Sequence, residues 1–129
     1  MIYEDRAVAD VAAEKLRVYA QPQRLMILSC LLRGERTVGD IDAATGIGQP
    51  ALSQQLAALR RADLVRTRRD AKLVYYALAD DTVRLCVRSM EAMLGGGDPV
   101  AAMRELVGRS EDDGDRGPPA GVAGFARVD

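Results

Sequence analysis

At 129 residues the chain is long enough for one compact domain and short for two. Apolar residues make up 48% of it, but with one Phe, four Tyr and no Trp the core has to be built from Leu, Val, Ala, Ile and Met, which suits packed helices. The net charge of −1 excludes a uniformly basic nucleic-acid binder, yet it averages an uneven distribution: residues 60–76 hold six Lys or Arg against two Asp, and residues 109–129 hold three Arg against five acids. No apolar run is long enough to span a membrane, and MIYEDRAVAD lacks the basic start and apolar stretch of a secretory signal, so a cytoplasmic protein without membrane contact is expected.

Residues 5–20 carry Val8, Val11, Ala12, Leu16 and Tyr19 at i, i+3, i+4, i+8 and i+11, the stripe of an amphipathic first helix. Pro22 suits a helix start, because its missing N–H is not needed in the first turn. Residues 22–33 are apolar on nearly every side, through Leu25, Met26, Ile27, Leu28, Cys30, Leu31 and Leu32, and predict a buried central helix stopped by Gly34. Thr37 is placed to cap a short third helix with Val38, Ile41 and Ala44 inward and Gly46 at its end. After Gly48, Leu52, Leu56 and Leu59 recur at i, i+4 and i+7, predicting a fourth helix over residues 49–62. Two short helices around a tight Gly-containing turn make a helix-turn-helix.

Residues 64–69 and 73–78 are rich in Leu, Val and Tyr and flank Asp70-Ala71-Lys72, which predicts a β-hairpin. Tyr75 and Tyr76 fall on opposite faces of the returning strand, so at least one belongs in the core. Asp80 or Asp81 caps a further helix to about Leu94, with Val83, Cys86 or Val87, Met90, and Met93 or Leu94 along one face. Gly95-Gly96-Gly97 breaks it, and Asp98-Pro99 starts a short extra helix to Val107. From Gly108 onward Gly, Pro and charge dominate, the composition of a disordered acidic tail. The expected fold is mainly α with a β-hairpin wing, an α+β winged helix-turn-helix in the order helix, helix, helix, helix, hairpin, helix.

The fourth helix and the hairpin carry the chemistry. Stepping about 100° per residue from Leu52 places Leu56 and Leu59 close to it and puts Pro50, Gln54, Ala57 and Arg61 opposite, with Ser53 on the flank. Small and amide side chains let a helix backbone approach the major groove, and Gln pairs with adenine through two hydrogen bonds. Gln49, Pro50, Ser53 and Gln54 lie in the first turns, the part that reaches base edges in helix-turn-helix proteins, while Arg60 and Arg61 lie at the phosphate end. Arg66, Arg68, Arg69 and Lys72 make the hairpin a basic ribbon suited to phosphate contact or to a minor groove. The blander reading of both elements is an ordinary solvated polar surface.

RLMILSCLLRGERTVGDI, IGQPALSQQLAALRRADLVRTRR and VYYAL, taken together, resemble the ArsR/SmtB family of small winged-helix repressors over roughly residues 10–94. The resemblance implies a homodimer built mainly from the first and last core helices, which binds an inverted-repeat operator in double-stranded DNA, represses transcription and is released by an inducer. Carried over by position, Gln49, Pro50, Ser53, Gln54, Gln55 and Arg61 fall in the recognition helix and Arg66, Arg68, Arg69 and Lys72 in the wing; at Gln55 many relatives carry His. The implied organisation is a DNA-binding and dimerisation domain over residues 1–94, a Gly linker and short helix over 95–108, and the acidic tail over 109–129.

For sensing, the family's Cys-Val-Cys stretch in the third helix is here Thr37-Val38-Gly39-Asp40, and the chain has no His. No four-ligand zinc site of N and S donors can be assembled in one chain, so no metal and no cofactor is expected. The likeness extends to a subgroup of biofilm- and hemolysin-associated repressors, some of which sense sulfide or oxidants through one thiol in the second helix and one near the end of the last core helix. Cys30 and Cys86 lie on that pair of helices, although the family positions correspond to Ser29 and the neighbourhood of Gly95; the alternative for both is a small buried hydrophobe. The competing function is a winged-helix module for protein association without sequence-specific DNA binding. An enzyme is disfavoured, since there is no His, no Gly-rich phosphate loop after a strand and no carboxylate pair in an evident cleft.

Overall fold

The computed structural model describes residues 1–116, of which 109–116 are described by their backbone alone; expectations for residues 117–129 lie outside the described part. The chain divides into two compact units, the first Met1–Val87 and the second starting at Arg88, so the division falls inside a helix. After a 3-10 turn at Ile2–Glu4, the elements are α1 (Arg6–Tyr19), α2 (Pro22–Leu32), β1 (Arg36–Thr37), α3 (Val38–Thr45), α4 (Ala51–Arg61), β2 (Val65–Asp70), β3 (Leu73–Leu78), α5 (Asp81–Leu94) and α6 (Pro99–Arg116).

The core of the first unit is aliphatic. Ile27, Leu28 and Leu31 of α2, Ile41 of α3, Leu52, Leu56 and Leu59 of α4, and Val65 and Leu78 of the sheet are each 3% exposed or less. Each such side chain contributes about 1.5–3 kcal/mol relative to exposure, so this cluster is the main term that fixes α4 on its support. α2 is less enclosed than its composition predicts. Leu25 and Met26 are 38% and 45% exposed, because a helix packed on one side buries an arc and not its whole circumference. On α1 only Tyr19 is buried; Val8, Val11 and Leu16, expected to face a core, are 44%, 57% and 62% exposed in the single chain.

Local signals place the helix ends. Asp5 accepts from the N–H groups of Ala7 and Val8 at the start of α1, and the Gln21 side chain accepts from Arg24 N ahead of Pro22. Thr37 and Asp40 form a reciprocal capping box on α3, and Asp80 Oδ1 accepts from Val83 N at 2.9 Å at the start of α5. α4 begins two residues later than the periodicity predicts. Pro50 has no side-chain group to offer, and Gln49 supplies the cap from one residue further back, accepting from Ser53 N at 3.1 Å.

The hairpin is present as expected, with Asp70 paired to Leu73 and a two-residue turn at Ala71-Lys72. It belongs to a three-stranded antiparallel sheet in the order β1-β3-β2. β1 has only two residues, too few for any sequence period, and is created by tertiary pairing of Arg36 with Tyr76 and Thr37 with Tyr75. Neither tyrosine enters the core: both are half-buried, Tyr75 beneath an arginine and Tyr76 at the edge of a surface groove. In the second unit Leu106 is buried, and α6 runs beyond its expected end at Val107 to Arg116, with no proline to stop it before Pro118. The opening of the stretch expected to be a disordered tail is therefore helical.

Gly46 ends α3 at φ 68°, and a Cβ added there meets nothing within 4 Å, so the cost of a side chain would be conformational alone. Gly46→Ala should destabilise by about 1 kcal/mol for the left-handed backbone. Gly39→Ala, inside α3 with Thr37 Oγ1 at 3.9 Å as its nearest neighbour, should stabilise by about 0.5 kcal/mol. Urea unfolding of the two variants checks the opposite signs.

Candidate nucleic-acid interface

α4 is held by one face and presents the other. Around the helix, Leu52, Leu56 and Leu59 turn to the core, and the exposed arc carries Arg60, Ser53, Ala57, Arg61 and Gln54 in angular order. Gln49 lies beside the first turn, its Oε1 accepting from both Ser53 N and Ser53 Oγ, the latter at 2.7 Å. Ser53 is thereby oriented with Gln49, and the exposed Pro50 sits between them as the N-cap. Gln54 and Ala57 extend the same surface. An arc of short and amide side chains on a rigid helix has the shape and the hydrogen-bonding capacity for a major groove.

Gln55 is positioned differently. It lies about 60° from Leu52 on the side away from the exposed arc. Its Oε1 accepts from Arg24 Nε at 2.9 Å, and its Nε2 donates to Gln23 Oε1 at 3.3 Å. Arg24 also donates through Nη1 to the Val18 carbonyl at 3.1 Å. One side chain of α2 thus ties the end of α1 to the middle of α4, and Gln55, which the family resemblance places in the recognition helix, anchors that helix to its support. The pattern alone holds the angular offset of Gln55; its partners Gln23 and Arg24 are 32 and 31 residues distant and carry no local signal.

Beside α4, a groove of about 430 Å³ is lined by Val38, Ser53, Leu56, Ala57, Arg60, Arg61 and Tyr76. Its lining combines apolar side chains with two arginines, a composition suited to the sugar and phosphate of a nucleic-acid backbone.

In the wing, Arg66 pairs across from Ala77 at the base, with its Nε on the Leu78 carbonyl at 3.3 Å. Arg69 and Lys72 are exposed towards the tip. Arg68 is already engaged. Its Nε donates to Glu35 Oε2 at 3.3 Å and its second guanidinium nitrogen to Glu35 Oε1, Asp70 lies 3.6 Å away, and the guanidinium sits 4.5 Å over the Tyr75 ring. The hydrogen bond from Arg68 holds the Glu35 carboxyl below the usual carboxylate range, and the charges of Arg68 and Arg66 act in the same direction.

Cys30 and Cys86 are both free thiols and half-buried. Cys86 lies against Tyr19. Burial first, and then this thiol, push the Tyr19 phenol up to about 12. Among the described residues, no group of three or more His, Cys, Asp or Glu stands close enough to hold a metal ion.

Residues 21–67, from the cap of α2 through α4 into the first wing strand, match the family model described as bacterial regulatory protein, arsR family. Over 78 residues the chain is 44% identical to the biofilm growth-associated repressor of Agrobacterium fabrum, covering 60% of this chain and 67% of that one. The crystal structure of the repressor BigR from Xylella fastidiosa superimposes with a TM-score of 0.67 at 36% identity, over 75% of this chain and all of that one. The chain belongs to the arsR family. A third likeness is to the homodimeric winged helix-turn-helix DNA-binding domain of a possible ArsR-family regulator from Mycobacterium bovis, at TM-score 0.57 and 35% identity, covering 64% of this chain and 76% of that one. The arsR family model itself ends at Thr67, one residue before Arg68.

The placement of the two adjacent glutamines is directly testable. Gln55→Ala removes hydrogen bonds to a charged partner and to Gln23 and should lower stability by about 1.5–3 kcal/mol. Gln54→Ala should stay within about 0.5 kcal/mol of the parent in the same urea titration.

Proposed function

We propose that this ArsR-family chain is a homodimeric transcriptional repressor that seats one α4 per protomer in the major groove of an inverted-repeat operator. The observation that carries the reading is the division of α4 between a fully buried leucine face and an exposed arc of Gln54, Ser53, Ala57 and Arg61. Gln49, Ser53 and Gln54 read base edges, and Arg60, Arg61, Arg69 and Lys72 meet phosphates.

The second protomer accounts for the apolar stripe of α1. Val8, Val11 and Leu16 lie on one helical face and are roughly half exposed or more, which a single chain in water does not stabilise and a second copy would cover. A two-fold dimer presents its recognition helices to half-sites about 34 Å apart, one turn of DNA. The proposal assigns the chain no catalytic role and places it in the cytoplasm with its operator. For release of DNA it takes an oxidant or reactive sulfur species acting on Cys30 and Cys86, supported by the half-buried free thiols and by the contact of Cys86 with the end of α1. A Cys30→Ser, Cys86→Ser variant should then hold the operator under persulfide; if it still lets go, the inducer acts elsewhere.

Equilibrium binding to duplex DNA at several salt concentrations tests the DNA reading. Arg69→Ala and Lys72→Ala should each weaken binding to all sequences and flatten the salt slope by about 0.9 per protomer. Gln54→Ala should lower discrimination between sequences and leave that slope in place. Leu16→Glu should yield a monomer in sedimentation, with operator affinity lost. Wild-type protein that binds no DNA at moderate salt would defeat the proposal.

A further inference from the structure

Arg68 is one of the four wing cations expected to contact DNA, and it is the one most occupied by its own chain. The sheet register explains how. Tyr75 on the central strand is flanked by Thr37 of β1 on one side and Arg68 of β2 on the other. The Arg68 side chain crosses the Tyr75 ring at 4.5 Å and reaches Glu35, immediately before β1, with both nitrogens of its fork on both carboxylate oxygens. The connection therefore runs diagonally across the sheet to Glu35, two residues before Thr37, from the level at which Thr37, Tyr75 and Arg68 stand side by side.

That level is the root of the wing. β1 pairs only with Tyr75 and Tyr76, so beyond Tyr75 the hairpin continues through Val74, Leu73 and the Ala71-Lys72 turn as a two-stranded ribbon. An isolated two-stranded ribbon is marginally stable and twists readily. A planar guanidinium stacked on the central strand and forked onto the far edge resists that twist in a way an ammonium group cannot, since it fixes a plane as well as a distance. The residues on the Arg68 face of the ribbon, Tyr75 among them, lie on the side of the sheet opposite Tyr76, which lines the groove beside α4.

We propose that Arg68 and Glu35 are positioning residues that set the angle of the wing, so that Arg69 and Lys72 arrive at the DNA backbone already oriented. The proposal rests on the DNA-binding reading above and adds Glu35, an acidic residue outside both DNA-binding elements, to the residues on which affinity depends. It opposes simple electrostatics, in which removing a carboxylate from a DNA-binding surface strengthens binding.

The test is binding to a duplex enriched from a random pool by the wild-type protein, measured across salt concentrations for Arg68→Ala, Arg68→Lys, Glu35→Gln and the Arg68→Ala, Glu35→Gln pair. The expected result is a loss of about three- to tenfold for each single variant, the ordering of the wing now being charged to binding. The double variant should be no worse than the singles, Arg68→Lys should resemble Arg68→Ala, and Glu35→Gln should shift the salt slope in the same direction as Arg68→Ala. Tighter binding by Glu35→Gln, or additive losses, would overturn the proposal and return Arg68 to direct phosphate contact. Should Arg68→Ala fail to fold, Arg68→Lys and Glu35→Gln decide the question on their own. A wild-type protein that enriches no duplex would instead defeat the DNA-binding reading, and this inference with it.

Discussion

Everything about the proposed interface depends on the burial of one face of α4. Leu52, Leu56 and Leu59 are 2% exposed or less against an aliphatic core that includes Ile27, Leu28, Leu31 and Ile41. Because a helix is rigid, fixing those three side chains fixes the azimuth of every other side chain on α4. Ser53, Gln54, Ala57 and Arg61 are outward for no reason of their own; they occupy the angles that the leucines leave. Apolar packing is non-directional in itself, and at the contact of α4 with α2 the direction is supplied by Arg24, which bonds both Gln55 and the Val18 carbonyl.

The two elements proposed to face DNA are built on different principles. α4 is fixed by burial, whereas the wing leaves the core after Val65 and Leu78 and projects with exposed or half-exposed residues on both faces. What the wing has in place of a core is a polar brace at its root. Electrostatically the brace uses one positive charge of a strongly basic segment without presenting it to a partner, so the number of Lys and Arg in residues 60–76 overstates the charge available to DNA. Arg66, by contrast, bonds a neutral group, the Leu78 carbonyl, and keeps its charge.

Much of this was legible in the sequence because it is periodic or local. The leucine spacing of α4, the Thr37 and Asp80 caps, the Gly46 stop and the hairpin are short-range patterns with short-range causes, and each stands close to where the pattern puts it. What escaped is long-range. β1 exists only because β3 passes beside it, Gln55 finds Arg24 across 31 residues, and Arg68 finds Glu35 across 33. The exposure of Val8, Val11 and Leu16 was hidden for another reason: periodicity marks a face that needs covering and is silent on whether the same chain or another one covers it.

The central claim is that the exposed arc of α4 reads the sequence of a duplex as one half of a symmetric pair. The most direct measurement is unbiased selection of double-stranded DNA from a random pool by the purified wild-type protein, with the Gln54→Ala variant run in parallel. The account predicts an enriched inverted repeat with half-sites one helical turn apart for the wild type, and for the variant the same symmetry and spacing with degeneracy at specific half-site positions. Recovery of no common sequence, or of an identical sequence from both proteins, would contradict it.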